Sequence, residues 1–312
     1  LLLRPRLQDG IFAEEYVSGE RANLVDRIRG QINDKRSYAT LRLGQLMCGE
    51  EAFGVDKLGD VEHAAAVTPG SLWERYQQLL STAQIELYYC GSAEEERVAR
   101  ALKEALSALP VNEGRICPDC EVRLHAGPEP SMVEESMDVT QGKLAMGFRT
   151  GGVTCWEEEY PAMAMCNAVF GGTTLSKLFM NVREKLSLCY YASSAYHRQK
   201  RLITVSSGIE FQNYQKAYDE IMAQLAAVQA GRLEDWELEG ARSTLLNAYA
   251  SMGDSQGKLE NFYLGQAATG QEDTPELLAE QVRHVTAERI FDAMQTVSLD
   301  TVYFLKGKET AE

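Results

Sequence analysis

The sequence lacks the features that mark membrane and nucleic-acid-binding proteins. Its 312 residues contain no apolar run of about 18 residues, the length that spans a bilayer. Basic residues number 31 against 46 acidic ones, which leaves a net charge of −15. That balance argues against binding to nucleic acid, because phosphate contacts need a basic stripe. We interpret the acidic excess as a solvated surface, with attraction of basic ligands as the alternative.

The sequence also lacks a signal peptide, since Leu1–Leu3 is too short for one and the first residue is not methionine. We expect the chain to begin at an internal boundary of a longer protein. The seven cysteines are an odd number and are scattered, which is typical of reduced thiols in the cytoplasm. The predicted location is therefore cytoplasmic.

Two of these cysteines, Cys117 and Cys120, form a CxxC pair. Such a pair can be redox-active or half of a zinc site. No second CxxC and no paired histidine follow at ligand spacing, and His125 alone is a poor third ligand. We interpret the pair as two thiols in a loop, with a metal or redox role as the alternative.

Hydrophobic periodicity predicts a chain of mixed helices and strands. Residues 12–47 have helical spacing with a break at Asn33 and Asp34, and Thr68 before Pro69 is typical of a helix start. Proline, glycine and charge over 110–137 indicate a linker. Further predicted helices cover 94–109, 161–170, 174–188, 214–228, 234–250 and 275–297. Predicted strands cover 85–90, 143–148, 190–196, 202–210 and 301–305.

An internal repeat relates the two ends of the chain. A block that begins at Thr68 combines a predicted helix with a strand that ends before Gly91, and a block that begins at Thr286 repeats this order up to Gly307. Both blocks follow a long helical stretch. The sequence therefore predicts two homologous units of roughly 220 residues. The second is complete, whereas the first contains only its back half, so the counterpart of 141–230 would lie upstream.

One stretch, 169–194, combines a turn, a helix start, a basic residue and an aromatic pair more closely than any other segment. Its sequence is VFGGTTLSKLFMNVREKLSLCYYASS. Two glycines, expected to end a helix, precede an amphipathic run and a tyrosine-rich strand pattern. The order Gly-Gly, Ser-x-Leu-Phe, Arg-Glu-Lys and Leu-x-Tyr resembles the second domain of M16 zinc peptidases, the group of insulinase, pitrilysin and the mitochondrial processing peptidase. That family often has glycine where Ser187 stands.

The resemblance covers nearly the whole chain and implies an α+β fold. It predicts two homologous units of the LuxS/metallohydrolase type, each an antiparallel-rich sheet packed by helices. In this chain they would be the back half of a first unit over 1–107, a linker over 108–138 and a complete second unit over 139–312.

The catalytic signature of that family is missing from this sequence. M16 peptidases hold Zn²⁺ with an inverted His-x-x-Glu-His motif and a downstream Glu, and these leave a position for water. None of the four histidines here has a second within five residues. Alignment with the family places the third ligand at Arg27, where a cation would repel the metal, and a shift of one residue would place Asp26 there. The resemblance implies no catalytic residue and no metal ligand in this chain, with Zn²⁺ in a partner subunit or in the full-length protein.

The family's second site feature is present. In M16 proteins an Arg and a Tyr seven residues apart contact the substrate carbonyl, and Arg183 and Tyr190 have that spacing. A fixed cation and a phenol can stabilise a developing oxyanion. We expect both to bind substrate where a helix meets a strand. The alternative is structural: Arg183 in a surface ion pair with a neighbour such as Glu184, and Tyr190 packed in a sheet.

Three functions are consistent with these residues. The first, which we predict, is a non-catalytic M16 subunit that forms a hetero- or homodimer with an M16-type subunit and presents Arg183 and Tyr190 to a peptide. The peptide would bind partly by adding a strand to a sheet edge. The second is a complete zinc peptidase whose metal motif lies upstream. The third is a structural subunit, like the core subunits of respiratory complex III in the same superfamily.

Overall fold

The computed structural model describes residues 5–107, 109, 114, 122–152 and 160–308, and the chain divides into two compact units. We call residues 1–33 with 56–120 the first unit, and residues 34–55 with 121–312 the second unit. The predicted pair Cys117 and Cys120 lies outside the described residues. Within them, no helix is long and apolar enough to cross a membrane.

The helices are α1 (Glu14–Gly30), α2 (Lys35–Met47), α3 (Val61–Ala66), α4 (Pro69–Thr82), α5 (Glu95–Leu106), α6 (Tyr160–Asn167), α7 (Tyr214–Gln229), α8 (Asp235–Ala250), α9 (Gln256–Thr269), α10 (Pro275–Arg283) and α11 (Ala287–Gln295). The strands are β1 (Leu7–Gln8), β2 (Ile11–Phe12), β3 (Ser131–Met137), β4 (Gly142–Arg149), β5 (Cys189–His197), β6 (Leu202–Ile209) and β7 (Ser298–Gly307). Two π-helical segments, Ala168–Gly172 and Leu178–Lys185, lie between α6 and β5.

A tight hairpin begins the first unit. Strands β1 and β2 pair antiparallel across Asp9 and Gly10, whose φ angles are 54° and 84°. An Asp-Gly pair suits this turn because both residues tolerate a positive φ. Phe12 then meets the rings of Trp73 and Tyr76 edge-on, with centroids 5.4 Å apart in each case. These aromatic contacts hold the hairpin against α4.

Two predicted helix starts are confirmed by their caps. The break before α2 falls at Asp34, whose Oδ1 accepts a hydrogen bond of 3.1 Å from the backbone N–H of Arg36. Thr68 caps α4, and its Oγ1 accepts a hydrogen bond of 3.2 Å from the backbone N–H of Ser71. Pro69 occupies the first helical position. Both caps satisfy N–H groups that a helix start leaves without partners.

A five-stranded sheet organises the second unit, in the order β3-β7-β4-β6-β5. Strand β4 pairs antiparallel with β6 and β7, and β5 pairs antiparallel with β6. The predicted pairing of 190–196 with 202–210 is therefore confirmed. Strand β3 pairs parallel with β7, and β5 lies at the opposite edge of the sheet. The fold is thus α+β with a mainly antiparallel sheet, as predicted.

Helices cover both faces of this sheet. On one face α6, α7, α8, α10 and α11 enclose the main apolar core, to which Met146 and Phe148 of β4 contribute. On the other face α2 packs Leu43 against Ala145 and Tyr303. Successive residues of β4 thus alternate between the faces, as the two-residue period of a strand requires.

A buried cluster of charges joins the loop after α2 to the sheet. Nη2 of Arg149 lies 2.9 Å from Oε1 of Glu51, and its Nε lies 3.3 Å from Oδ2 of Asp300. The Lys200 ammonium also donates to Glu51. Burial opposes ionisation of Glu51, but the hydrogen bonds from Lys200 and Arg149 outweigh it and lower the pKa of this carboxyl. Sequence reasoning missed the cluster because its members lie far apart in the chain.

The strand predicted over 85–90 is wrong, since this segment is irregular. The predicted helices of the two blocks are confirmed, and Thr286 caps α11 as Thr68 caps α4. In the second block the strand, β7, pairs with β3 and β4. No strand of the described residues pairs with 85–90 in this way. A β pattern alone does not make a sheet, because a strand needs neighbouring strands for its stability.

Part of the predicted linker is folded. Ser131–Met137, inside the linker expected over 108–138, forms β3 and pairs with β7 along its whole length. Its exposed and half-buried residues alternate without a fully buried one, which explains the weak pattern. Residues 34–55, expected in the first repeat, pack with the second unit. The repeat boundaries themselves concern homology, which packing does not test, and they stay a prediction.

Candidate functional site

The site begins at two glycines that end a helical run, as predicted. Helix α6 continues as the π-helical segment Ala168–Gly172, and Thr173 after it is extended. A Cβ on Gly171 would lie 2.7 Å from the backbone N of Ser194, and one on Gly172 would lie 2.8 Å from Nδ2 of Asn167. Glycine is therefore needed here for the close approach of two chain segments.

A buried ion pair anchors the chain just before the second π-helical segment. Nζ of Lys177 donates to both carboxylate oxygens of Glu237 on α8, at 2.9 and 2.8 Å. Both side chains are almost fully buried. Within the segment, Nδ2 of Asn181 donates a hydrogen bond of 3.0 Å to Oε1 of Gln224 on α7. The segment that carries Arg183 is thus fixed to two helices.

Arg183 lies on the exposed side of this segment, with 40% of its side chain accessible. Its guanidinium carbon sits 4.6 Å from the ring centroid of Phe179, one turn earlier. Its Nε lies 3.5 Å from Oε1 of Glu184. A pair this exposed contributes little to stability, so the cation is positioned mainly by the ring and remains open to a ligand.

A left-handed residue links the segment to β5. Ser187 has a φ of 49°, and the N–H groups of Leu186 and Leu188 on either side donate to the carbonyls of Asn181 and Val182. Positive φ favours glycine, which gives a physical reason for the glycine that the M16 pattern often has at this position. Arg183 and Tyr190 therefore lie at a helix-to-strand junction, as expected.

Tyr190 occupies a β-bulge. In the pairing of β5 with β6, Cys189 lies opposite Ile209 and Tyr191 opposite Gly208, so Tyr190 is the additional residue. A bulge changes the direction of the side chain that it carries. Tyr190 is 60% exposed, and its hydroxyl donates a hydrogen bond of 2.6 Å to Oε1 of Glu210. This hydrogen bond, with the negative charge of Glu210, raises the pKa of the Tyr190 phenol.

These side chains share one pocket of about 420 Å³, which we call the contact pocket. Its lining residues are Arg183, Glu184, Ser187, Leu188, Cys189, Tyr190 and Glu210. The structure thus brings together the two residues predicted from the sequence. It adds Glu210, which sequence reasoning missed, although its place at the end of the alternating run 202–210 put it beside the start of the paired strand.

The contact pocket offers a cation and a phenol beside two carboxylates. Both donors can reach out to an external carbonyl oxygen, because they sit on exposed side chains. Burial raises the pKa of the Cys189 thiol, which keeps it protonated and unsuited to act as a nucleophile. The pocket therefore suits binding and charge stabilisation rather than bond cleavage.

The positions predicted for a degenerate zinc ligand lie on α1 in the first unit. Asp26 and Arg27 are both exposed. Throughout the described part of the chain, no three His, Cys, Asp or Glu side chains form a group that could hold a metal ion. The assignment of Arg27 to the third ligand position stays a prediction.

Comparison with known proteins gives the same family that the motifs in 169–194 resemble. Residues 66–245 match the peptidase M16 inactive domain. A Bacillus subtilis (strain 168) protein named "Probable inactive metalloprotease YmfF" is 34% identical over 313 residues, which cover 100% of this chain and 72% of the relative. This match extends the similarity well beyond the stretch 169–194.

Two solved structures share the fold. A conserved protein from Enterococcus faecalis V583 superposes with a TM-score of 0.88 at 28% identity, over 99% of this chain and 72% of the other. A peptidase M16 inactive domain from Pseudomonas fluorescens superposes with a TM-score of 0.77 at 15% identity, over 96% of this chain and 72% of the other. At that identity the second likeness concerns the fold alone.

Proposed function

Because this chain belongs to the family of the peptidase M16 inactive domain, we propose that it is a non-catalytic subunit that assists a zinc peptidase in trans. In this proposal the chain presents Arg183 and Tyr190 to a peptide that is bound at the metal of an M16-type partner. The observation that carries the proposal is the contact pocket, which holds both side chains at one exposed junction.

The proposed chemistry is stabilisation of charge on the carbonyl oxygen of the scissile bond. When water attacks a peptide carbonyl, negative charge develops on its oxygen, and oriented donors lower the energy of that state. Tyr190 would donate its O–H to this oxygen in place of Oε1 of Glu210. Arg183 would turn its guanidinium from Glu184 to the same oxygen. Each donor exchanges one anionic acceptor for another.

Zinc is assigned to the partner in this proposal. Zn²⁺ in such enzymes lowers the pKa of a bound water and polarises the carbonyl. Among the described residues no group of side chains could hold that ion, and the ligand position is predicted to carry Arg27. We also propose a cytoplasmic location, because an odd number of scattered cysteines is typical of reducing compartments.

The proposal is tested with the full-length protein and an M16-type zinc peptidase identified by its co-purification with that protein. We expect the full-length protein alone to contain far less than one zinc per chain and to cleave no peptide. Added to the partner, it should increase peptide cleavage, and the Arg183→Ala variant should not. Arg283→Ala is the matched control, since Arg283 is also an exposed arginine paired with a glutamate of its own helix.

Two results would overturn the proposal. Stoichiometric zinc and intrinsic peptidase activity in the full-length protein would identify it as a complete enzyme. Cleavage by the complex that is unchanged by Arg183→Ala would indicate a structural subunit, like a scaffold, rather than a contributor to the site.

A further inference from the structure

A second pocket, of about 390 Å³, lies in the second unit and shares no lining residue with the contact pocket. We call it the Arg36 pocket. Its walls are one side of α2 along most of its length, residues 53–55 and the neighbouring strands β5 and β6. Its lining residues are Arg36, Ser37, Thr40, Leu41, Gly44, Gln45, Phe53, Gly54, Val55, His197 and Thr204. None of them is acidic, although the whole chain carries a net charge of −15.

Arg36 supplies the charge of this pocket. Its guanidinium carbon lies 4.1 Å from the ring centroid of Tyr191, and its Nη2 donates 3.3 Å to Oγ of Ser193. Asp34 is the nearest acidic residue in sequence. Its carboxylate caps α2 and accepts a hydrogen bond from the hydroxyl of Ser37. Of the ion pairs in the described part of the chain, none includes Arg36. The guanidinium is therefore oriented and has no carboxylate at ion-pair distance in the described part of the chain, and Asp34 interacts with it only at longer range.

The opposite wall is apolar and is fixed in place. Phe53 and Val55 are 44% and 72% exposed, so both present apolar surface to the pocket. A Cβ on Gly54 would lie 2.1 Å from the carbonyl O of Cys48, so the loop folds tightly onto the end of α2. Its start is held by Glu51, which belongs to the buried charge cluster. An exposed aromatic ring on a rigid loop is typical of a ligand-binding surface.

The floor of the pocket is polar and uncharged. The imidazole Nε2 of His197 shares a hydrogen bond of 3.0 Å with Oγ1 of Thr204. The ring of Phe53 meets the imidazole edge-on, with centroids 5.9 Å apart. The pocket therefore combines one cation, neutral hydrogen-bonding groups and an aromatic wall.

We propose that the Arg36 pocket binds a carboxylate that is attached to an apolar or aromatic group, with the guanidinium of Arg36 on the carboxylate and Phe53 against the apolar group. Two sources share this chemistry: a free small acid and the C-terminal residue of a peptide. Arginine binds carboxylates through paired N–H donors, and such charge-assisted hydrogen bonds are stronger than hydrogen bonds between neutral groups. The inference goes beyond the proposed function and does not rest on it.

The test is a calorimetric titration of the full-length protein with N-acetyl-phenylalanine and with its amide. We expect the acid to bind at least about tenfold more tightly than the amide, because only the acid forms a charge-assisted bond with Arg36. Arg36→Ala should abolish that preference, and Phe53→Ala should weaken both ligands. Arg283→Ala, a matched surface variant in the same unit, should bind as the unmodified protein does.

The sources are separated with a hexapeptide that ends in phenylalanine, titrated as the free acid and as the C-terminal amide. Preferential binding of the acid form identifies a peptide terminus as a ligand, and binding of N-acetyl-phenylalanine alone identifies a small acid. The proposal is overturned if acid and amide bind equally, if Arg36→Ala binds like the unmodified protein while remaining folded by circular dichroism, or if no probe binds. Because this readout involves no partner and no cleavage, it is independent of the experiment on Arg183.

Discussion

The hydroxyl of Tyr190 donates a hydrogen bond of 2.6 Å to Oε1 of Glu210, so a side chain predicted to contact substrate is held by a carboxylate of its own chain. That contact favours the protonated phenol, since only the O–H form can donate, and it raises the Tyr190 pKa. In Glu210→Gln the acceptor is neutral, and we expect the Tyr190 pKa to fall toward its ordinary value. The measurement is the ultraviolet difference titration between Glu210→Gln and the same variant with Tyr190→Phe.

The control is the same difference titration on the unmodified background. A Tyr190 pKa that is equal in the two backgrounds would show that the hydroxyl does not bond to Glu210 in solution. The description of the resting contact pocket would then be wrong.

The buried pair of Lys177 and Glu237 gives a prediction about stability. Lys177→Met leaves the Glu237 carboxylate buried without its cation, and we expect a loss of about 3–5 kcal/mol in the free energy of unfolding. Lys216→Met, at an exposed lysine of α7, is the control and should change stability by less than about 0.5 kcal/mol. Urea unfolding of both variants measures the difference. Equal stability of the two would show that the pair does not anchor the segment before Arg183.

The glycine contacts predict a difference between two substitutions by alanine. In Gly171→Ala the added Cβ would approach the backbone of Ser194 to 2.7 Å, so we expect a loss of about 1–3 kcal/mol in the free energy of unfolding. At Gly257, in the first turn of α9, nothing lies within 4 Å of the new Cβ. Gly257→Ala should be neutral or slightly stabilising, because alanine favours helix. Thermal unfolding compares the two, and a Gly171→Ala protein as stable as Gly257→Ala would refute the close approach.

His197 predicts a component of the pH dependence of stability. Burial disfavours the imidazolium and lowers the His197 pKa below its ordinary 6.5. Below pH 6.5 the unfolded chain therefore binds more protons at this position than the folded chain, so this group destabilises the fold as the pH falls. His197→Gln should lose less stability than the unmodified protein between about pH 7 and pH 5. Parallel curves for the two proteins in urea unfolding across that range would contradict the assignment.

The sequence was sufficient for the local features of the site. The spacing of Arg183 and Tyr190, and the change from helical to strand pattern between them, predicted a helix-to-strand junction, and that junction is confirmed. These are short-range properties of one chain segment, which residue order encodes directly. The predicted pairing of the following strands is confirmed for the same reason, since a short turn joins them.

The sequence was not sufficient for features that depend on distant residues. Glu210 reaches Tyr190 because of a bulge in the pairing of β5 with β6, and no pattern within either strand reports a bulge. Residues 85–90 have a strand pattern, but this segment is irregular in the structure. Gly171 lies at the end of a helical run, as its sequence indicates, but the close approach of Ser194 on β5, which requires glycine there, is not visible in the sequence. Each of these features depends on residues that are distant in the chain.

We propose that this chain lends Tyr190 and Arg183 to a partner's active site. The most direct measurement is kcat for peptide cleavage by the reconstituted complex of the full-length protein with its partner peptidase, compared with the same complex carrying Tyr190→Phe. Phenylalanine keeps the ring and removes only the donor, so we predict a fall in kcat on the order of 100-fold with KM little changed. An unchanged kcat in a complex of normal composition would contradict the account.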